Sequence, residues 1–541
     1  MNVAEILRAR IAEHPHRIAL VDAGTHRTLT YAQLDAMSAR IATALRARGL
    51  RSGDTVLILH PPGIELYAAL VGMLRAGIVP AIPPSGAGLR ALARCAELQP
   101  PRAVLAGGIG WAALASIPAL HRTVLLSTSP TPFAHDIVQR RATGRAEEGR
   151  YAREGTPARA DHVDDQIESR DDDQPAMLTF TSGSTGEPKA LLRSHGVARA
   201  QVDALKTALA LDGAVSLCTM PIVLLAELAA GATCLLPGID LRRPGRADGA
   251  LLAERMRAHG VVRVVASPAL LANLAAALRA RGETLPALRF IASGGAPVMP
   301  PLADALRAVA PNARLVAVYG STEAEPITLL DAADISAADH DAMRGGAGLL
   351  AGTECAGGSV AVITTERGAV TGPFPHDDEV ERRALAPRAV GEIVVRGLHV
   401  VEHYVDRSDD ATTKIRAGSR IWHRTGDLGY RDERGRLWLV GRAAAAIVDA
   451  RGTVEPLRVE CALSYLPGIA RSALAAADGA RVLVVEPQPG RALDESAVRA
   501  AVAFARIDRV VTATVPVDPR HNAKVDYAAL QRLVRRFARA A

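Results

Sequence analysis

The first part of the chain alternates helix-type and strand-type patterns of hydrophobic residues. Thr30 and Gln33 match a capping box, after which apolar residues recur at helical spacing as far as Leu45, shortly before Gly49. The next predicted elements are a strand, a helix and a strand, at Thr55–Leu59, Glu65–Arg75 and Ile78–Ile82. This order at this spacing predicts an α/β sheet with helical crossover connections.

The patterns further along divide the chain into regions of different character. Alternating α/β patterns continue to about residue 340, with predicted strands at Ala176–Phe180, Val261–Ala266 and Arg314–Tyr319. Short strands then predict a β-rich subdomain over 345–442, at Ser359–Thr364, Glu392–Arg396 and Arg436–Val440. The residues after 442 predict a small α+β unit, with strands at Arg481–Glu486 and Val510–Val515 and helices at Glu495–Arg506 and after Asp526.

These regions predict two domains. Residues 1–441 are expected to form a large N-terminal domain of α/β layers with a β-rich subdomain, and residues 443–541 a small mobile C-terminal domain. Residues 136–173 are rich in charge and poor in large apolar side chains, which predicts a flexible insertion or a surface loop.

Composition narrows the class of protein. The chain has 541 residues, of which 49% are hydrophobic and 22% charged, so it can bury sizeable cores and is not intrinsically disordered. A net charge of +7 with only six Phe, three Trp and eight Tyr is weak support for nucleic-acid binding, so no nucleic-acid partner is expected. Five scattered cysteines without a CxxC motif indicate reduced thiols. With no signal-peptide pattern and no transmembrane segment, we expect a cytoplasmic enzyme.

The balance of basic residues singles out the lysines. Of 64 lysines and arginines only four are lysines, at positions 189, 206, 414 and 524. In a chain that uses arginine wherever a positive charge suffices, a retained lysine can present a compact point charge that the planar guanidinium cannot.

The strongest local signal is the segment Thr181-Ser-Gly-Ser-Thr-Gly-Glu-Pro-Lys189. Hydroxyls and glycines directly after a strand can surround a phosphate with backbone N–H and side-chain O–H groups, and Lys189 adds a positive charge. A Walker A loop fits poorly, because Gly186 is followed by Glu-Pro-Lys rather than Lys and Ser or Thr. A flexible Ser/Gly linker explains neither the strand before the loop nor the lysine.

The segment resembles the phosphate loop of the acyl-adenylating superfamily, the AMP-dependent synthetases and ligases, which includes acyl-CoA synthetases, luciferases and nonribosomal peptide adenylation domains. Further motifs follow in the superfamily's order, namely Ser293-Gly-Gly-Ala-Pro297, Tyr319-Gly-Ser-Thr-Glu323, Thr425-Gly-Asp427 with Gly441-Arg442, and Asn522-Ala-Lys524. An ordered set of motifs over nearly the whole chain is highly specific.

The resemblance implies a site for ATP. The residues expected at its β- and γ-phosphates are Thr181, Ser182, Gly183, Ser184, Thr185, Gly186 and Lys189. Those expected around adenine are Gly294, Gly295, Ala296, Pro297 and Tyr319, whose ring stacks on the base, and Gly320 and Ser321 are expected to contact the nucleotide as well. Asp427 is expected to accept hydrogen bonds from both ribose hydroxyls, and Arg442 to contact the nucleotide from the domain junction.

Three residues are implied in the adenylation step itself. Thr322 is expected to bind the α-phosphate, Glu323 to hold Mg²⁺, and Lys524 to bridge the attacking carboxylate and the α-phosphate. Taken singly, Asp427 also fits a turn residue and Glu323 an acid in the first turn of a helix. For His423, a packing or hydrogen-bonding role is favoured over a titrating one.

The second half-reaction separates the branches of the superfamily. Thr219–Leu225 lacks the histidine of many acyl-CoA synthetases, Ala443–Ala446 lacks the usual polar hinge residue, and Lys524 does not follow glycine. Several segments instead resemble the β-lactone synthetases of bacterial olefin biosynthesis, at Pro237–Pro244, Ser267–Leu270, Trp422–Gly429, Arg471–Leu474 and Asp518–Lys524. The alanines at 443–446 differ from that branch as well.

Three hypotheses stay open. The first is activation of a fatty or β-hydroxy fatty acid with ATP and Mg²⁺, followed by closure to a β-lactone. The second is an acyl-CoA or acyl-carrier-protein ligase, for which alone CoA is expected. The third, suggested by the altered hinge, is a weakened acyl- or nucleotide-binding protein. The expected partners are a small-molecule acyl substrate and an upstream thiolase-like enzyme or carrier protein.

Overall fold

The computed structural model describes residues 1–84, 86–108, 110–131, 134–138, 166–182, 188–240, 244–366, 368–518 and 523–539. The α-helices are α1 (Glu5–Glu13), α2 (Tyr31–Ala47), α3 (Ile64–Arg75), α4 (Leu89–Leu98), α5 (Gly110–Ser116), α6 (His195–Ala208), α7 (Pro221–Ala229), α8 (Gly249–Ala258), α9 (Pro268–Arg281), α10 (Pro300–Val309), α11 (Ala337–Arg344), α12 (Glu379–Arg382), α13 (Asp410–Thr413), α14 (Pro456–Ser464), α15 (Glu495–Ala501) and α16 (Tyr527–Arg539). Short 3₁₀ turns occur at Pro118–Leu120, Pro244–Arg246, Ala332–Asp334, Arg407–Asp409, Ala443–Ala445 and Ala503–Ala505.

The β-strands fall into a parallel N-terminal set, a mixed central set and a small C-terminal set. They are β1 (Ile18–Asp22), β2 (Arg27–Thr30), β3 (Thr55–Leu59), β4 (Val79–Ile82), β5 (Ala103–Ala106), β6 (Val124–Ser127), β7 (His135–Asp136), β8 (Pro175–Ser182), β9 (Pro188–Ser194), β10 (Val215–Cys218), β11 (Thr233–Leu236), β12 (Arg263–Ala266), β13 (Phe290–Ser293), β14 (Arg314–Ser321), β15 (Ala324–Asp331), β16 (Leu349–Glu354), β17 (Gly358–Ile363), β18 (Gly391–Gly397), β19 (Lys414–Ala417), β20 (Arg420–Arg431), β21 (Leu437–Arg442), β22 (Ile447–Asp449), β23 (Gly452–Val454), β24 (Ile469–Ala477), β25 (Ala480–Pro487) and β26 (Arg509–Thr512).

The described residues form two compact units, one up to residue 182 with 188–198 and one from residue 199 onward. The first unit contains a sheet of strand order β7-β6-β5-β3-β4-β8-β9. Its strands are parallel except for the antiparallel pair β8 and β9. The predicted capping box is confirmed, because the Thr30 hydroxyl accepts the Gln33 N–H and the Gln33 side chain accepts the Thr30 N–H at the start of α2.

The second unit begins with a parallel sheet and continues into antiparallel strands. Strands β11, β10, β12, β13 and β14 are parallel neighbours, and β15 and β16 then join them antiparallel. The order continues through β21, β20 and β18 to β17, which is the predicted β-rich region. Its core is apolar and includes buried Ile393, Tyr430 and Trp438.

The chain after 455 is built on the small sheet β24-β25-β26. Strands β24 and β25 are antiparallel, and β25 and β26 are parallel. One face of the sheet packs against Val459 and Leu463 of α14, and the other against Leu530 and Val534 of α16. This arrangement is the α+β layer predicted for the end of the chain.

The structure confirms the predicted α/β class and changes several boundaries. Helix α15 ends at residue 501, before the 3₁₀ turn and a left-handed residue at Arg506 (φ 48°). Strand β26 ends at residue 512. The domain boundary at 441–443 lies inside the second unit and stays a prediction. Of the predicted insertion, 139–165 lie outside the described residues, and 136–138 and 166–173 flank them. Within the described part of the chain, no helix has both the length and the apolar composition to cross a membrane.

Candidate active site

The predicted phosphate loop connects two antiparallel strands of the first unit. Thr181 at the end of β8 pairs with Lys189 on β9, and Ser182 pairs with Pro188. A strand therefore follows the loop, whereas a Walker A loop is followed by a helix. The remaining loop residues of this prediction lie outside the described residues, namely Gly183, Ser184, Thr185 and Gly186.

The predicted adenine turn begins directly after β13 and leads to α10. A Cβ atom on Gly294 would lie 2.9 Å from the carbonyl oxygen of Val318 on the neighbouring strand, so a side chain does not fit there. Gly295 has φ +79°, a conformation that favours glycine. Ala296 and Pro297 continue the turn and are partly exposed. The glycines therefore allow the turn to pass close to β14.

The next predicted motif forms a tight hairpin between β14 and β15. Ser321 pairs with Ala324 across the turn, so that Thr322 and Glu323 are its two central residues. Gly320 precedes them on β14. The hairpin presents the predicted α-phosphate residue and the predicted metal ligand side by side in sequence.

Residues of three predicted motifs meet at the carboxylate of Asp427. The Tyr319 hydroxyl donates a hydrogen bond to Asp427 Oδ2 at 2.8 Å, and Arg442 donates to Asp427 Oδ1 at 2.9 Å. Asp427 on β20 and Arg442 on β21 are paired in register. Burial and the negative charge of Asp427 raise the pKa of Tyr319 well above its ordinary value, so Tyr319 is a neutral donor.

A buried ion pair supports the part of β20 that carries Asp427. Arg424 donates to Glu392 Oε2 at 2.9 and 2.7 Å, and both side chains are about 5% exposed or less. Glu392 Oε1 accepts the Gly426 N–H at 3.2 Å, and the Thr425 hydroxyl accepts the Asp427 N–H at 3.0 Å. The Asp427 backbone is thus fixed independently of its side chain.

Glu323 is a buried carboxylate in a polar pocket. Tyr404 donates to its Oε1 at 2.8 Å. Burial opposes ionisation, but His423, the Tyr404 hydrogen bond, the backbone N–H of Glu323 and Lys414 together lower its pKa to about 2. At neutral pH Glu323 is therefore a carboxylate, the form that binds a hard cation.

Two buried basic residues, Lys414 and His423, lie near the Glu323 carboxylate. Burial lowers the pKa of Lys414 to about 8, and burial and the Lys414 charge lower that of His423 to about 3. No motif of the sequence includes Tyr404 or Lys414, and for His423 the sequence favours a packing or hydrogen-bonding role. The rarity of lysine in this chain was the one signal that pointed to Lys414.

Lys524 lies on the loop before α16. Its backbone N–H donates to Asp518 Oδ1 at 3.0 Å, and its carbonyl accepts the Asp518 N–H at 2.9 Å. Asp526 closes the same loop through its N–H and the Pro516 carbonyl at 2.9 Å. The position of Lys524 is thus set by main-chain bonds, while Asn522 of the same motif lies outside the described residues.

Comparisons with known proteins show which family the chain belongs to. The family described as AMP-binding enzyme matches residues 7–405. The chain is 33% identical to an olefin β-lactone synthetase of Xanthomonas campestris pv. campestris, over 97% of this chain and 96% of that relative. It is 31% identical to an olefin β-lactone synthetase of Stenotrophomonas maltophilia, over the same shares of the two chains.

A solved structure shares the fold. The amide bond synthetase McbA of Marinactinospora thermotolerans superimposes with a TM-score of 0.77 at 22% identity, over 98% of this chain and 100% of that one. With a family match over residues 7–405 and two relatives above 30% identity, the chain belongs to the AMP-binding enzyme family and is an AMP-forming synthetase or ligase.

Proposed function

We propose that the protein activates a β-hydroxy fatty acid as its acyl-adenylate, and that the acid's own hydroxyl then displaces AMP to form a β-lactone. The observation that carries the second step is the likeness to two olefin β-lactone synthetases along 97% of the chain. The proposal includes a thiolase-like enzyme or a carrier protein upstream and a cytoplasmic location.

In the first step the carboxylate forms a bond to the α-phosphorus of ATP while the bond to pyrophosphate breaks. Catalysis of such a transfer is mostly positioning and electrostatic stabilisation. The leaving phosphates are bound by the predicted phosphate loop, to which Thr181, Ser182 and Lys189 belong. Thr322 and Lys524 bind the α-phosphate, and Lys524 also binds the attacking carboxylate.

The nucleoside is held by the cluster around Asp427. Asp427 accepts hydrogen bonds from Arg442 and Tyr319, and its oxygens keep lone pairs with which to accept from ribose hydroxyls. Tyr319 and the turn at Gly294 and Gly295 bind adenine. The close approach of Gly294 to Val318 on β14 leaves no room for a side chain at this point of the turn.

The site fits a magnesium ion through the chemistry of Glu323. A carboxylate with a pKa of about 2 stays ionised at neutral pH, and Mg²⁺ commonly takes one or two protein carboxylates together with substrate phosphates. When bound, Mg²⁺ neutralises charge on phosphate oxygens. Glu323 would hold it from the hairpin between β14 and β15.

In the second step the 3-hydroxyl oxygen forms a bond to the acyl carbon while the bond between that carbon and AMP breaks. The hydroxyl proton passes to solvent, and the products are lactone and AMP. Because the nucleophile is tethered to the substrate, ring closure gains the advantage of an intramolecular attack, which ring strain partly offsets. Such a reaction needs no thiol channel, which suits the 3₁₀ turn of alanines at 443–445.

The test compares a 3-hydroxy fatty acid with the same acid lacking the hydroxyl, each with and without CoA. Products are measured by mass spectrometry, with AMP release as the second readout. The proposal expects AMP turnover and a product one water lighter with the hydroxy acid alone, unchanged by CoA. If the plain acid is efficiently converted to a thioester, the β-lactone proposal is wrong and the acyl-CoA ligase alternative is favoured. Binding of ATP without any acyl-AMP would favour a weakened binding protein.

A further inference from the structure

The Glu323 carboxylate is held by residues outside the motifs that contact the nucleotide in the proposal above. The Val401 N–H donates to the carbonyl oxygen of Glu323 at 2.8 Å. The Tyr404 hydroxyl donates to Glu323 Oε1 at 2.8 Å. Both the backbone and the side chain of Glu323 are therefore bound to one short segment, 401–404.

Lys414 contacts both ends of the segment 401–404. Its Nζ donates to the Val401 carbonyl oxygen and lies 5.3 Å from the centre of the Tyr404 ring. It also lies 3.3 Å from His423 Nδ1, and Lys414 and His423 are directly paired between β19 and β20. Lys414 is 7% exposed, so these contacts lie almost entirely out of reach of water.

A buried ammonium group is costly unless other groups compensate for the water it loses. Here a carbonyl oxygen, an aromatic face and the nearby charge of Glu323 supply that compensation. Lysine presents a compact charge on a flexible stem, whereas the arginine guanidinium is planar and larger, so the two are not equivalent at this enclosed position.

We propose that Tyr404 and Lys414 are positioning residues that hold the Glu323 carboxylate in the orientation needed for the divalent cation that accompanies ATP. The inference rests on the proposed role of Glu323 as the metal ligand. Tyr404 acts directly on the carboxylate, and Lys414 acts through Tyr404 and Val401. Partners of this kind orient metal ligands, and their loss typically lowers metal affinity about 10–100-fold.

The first variant is Tyr404→Phe, which keeps the ring over Lys414 and removes the hydroxyl that binds Glu323. We expect the Mg²⁺ concentration for half-maximal acyl-AMP formation to rise about 10-fold, with kcat at saturating Mg²⁺ within about 2-fold of the parent. Direct binding of Mn²⁺, measured by EPR with a non-hydrolysable ATP analogue, should weaken by the same factor. Unchanged Mn²⁺ affinity in Tyr404→Phe would overturn the inference.

The second variant is Lys414→Met, with Lys206→Met on α6 as the matched control. Lys414→Met should raise the metal requirement, Lys414→Arg should recover part of it, and Lys206→Met should leave it unchanged. Because Lys414 acts through Tyr404, the double variant Tyr404→Phe with Lys414→Met should lose less Mn²⁺ affinity than the product of the two single losses. Fully multiplicative losses would mean that Lys414 does not act through Tyr404. If Lys414→Met does not fold, Tyr404→Phe alone decides the inference.

Glu323→Gln separates the two levels of the argument. If Glu323→Gln binds Mn²⁺ like the parent, the proposed role of Glu323 fails, and the positioning inference fails with it. If Glu323→Gln loses metal affinity and Tyr404→Phe does not, only the positioning inference fails.

Discussion

The hydroxyl of Tyr319 donates a 2.8 Å hydrogen bond to Asp427, although the two residues are 108 positions apart. Arg442 occupies the other oxygen of the same carboxylate. Motifs that the sequence presents separately therefore form one cluster. A change in any member is expected to alter how the nucleoside is held.

The first prediction separates the ring of Tyr319 from its hydroxyl. Asp427→Ala should weaken ATP binding about 10–100-fold, because hydrogen bonds to a charged group contribute about 1.5–3 kcal/mol. Tyr319→Phe keeps the aromatic face and should weaken binding less, by under about 10-fold. Calorimetric titration with ATP checks both. Parent-like affinity in Asp427→Ala would remove this residue from the nucleotide site.

The second prediction concerns the charge of Glu323. Its pKa of about 2 lies below the ordinary value of 4.5, so its favourable interactions are fully present above pH 4.5 and are lost as the pH falls through 2. We therefore expect no effect of Glu323 protonation on the Mg²⁺ requirement between pH 5 and 9. Glu323→Gln should raise that requirement about 10-fold at every pH in this range. The exposed Glu354→Gln is the control. A carboxyl titration near pH 6 would contradict the prediction.

The third prediction tests Lys524. Lys524→Ala should slow acyl-AMP formation about 10²–10³-fold with ATP affinity nearly intact, because the charge is needed mainly in the transition state. Both hydrogen bonds with Asp518 use the main chain of Lys524 and not its side chain, so they should survive the change. Hydroxylamine trapping of the adenylate measures the rate, with Lys206→Ala as the comparison. An unchanged rate would exclude Lys524 from the chemistry.

The fourth prediction concerns stability and pH. Glu227 on α7 is fully buried and accepts a 2.8 Å hydrogen bond from Ser216. Burial raises its pKa to about 7, so the folded chain holds this proton more tightly than the unfolded chain. Its contribution to stability is therefore fully present below pH 4.5 and is lost as the pH rises through 7, on the order of 3 kcal/mol.

Glu227→Gln removes that dependence while a side-chain oxygen can still accept from Ser216. Thermal unfolding midpoints between pH 5 and 8 should fall less in Glu227→Gln than in the parent. Parallel curves would show that Glu227 is ionised in the folded protein throughout this range.

Local patterns predicted much of the fold, because capping residues and buried apolar runs act over short distances. Strand β3 has the predicted bounds Thr55–Leu59, and helix α2 begins one residue after the predicted cap at Thr30. Strand β9 was not predicted, because Pro188 and Lys189 give no apolar start and their pairing with β8 is what makes them a strand.

The candidate site was predictable where residues form contiguous motifs and not where they converge in space. Tyr404 and Lys414 belong to none of the motifs, and His423 lies in the segment Trp422–Gly429 but has no motif role assigned to it. They meet at Glu323 because β19 pairs with β20 and because segment 401–404 crosses the hairpin that carries Glu323. Such convergence depends on the register of antiparallel strands, which is a property of the whole sheet.

Strand β20 is 12 residues long and carries both His423, near Glu323, and Asp427, which binds Tyr319 and Arg442. A single-residue insertion or deletion between them would turn one of the two side chains toward the opposite face of the sheet. Descendants of this gene and engineered libraries should therefore vary the strand by exchange of residues and not by changes in its length. An enzyme redesigned for another acid can be altered in many places, but the length of β20 must stay constant because it sets the spacing between His423 and Asp427.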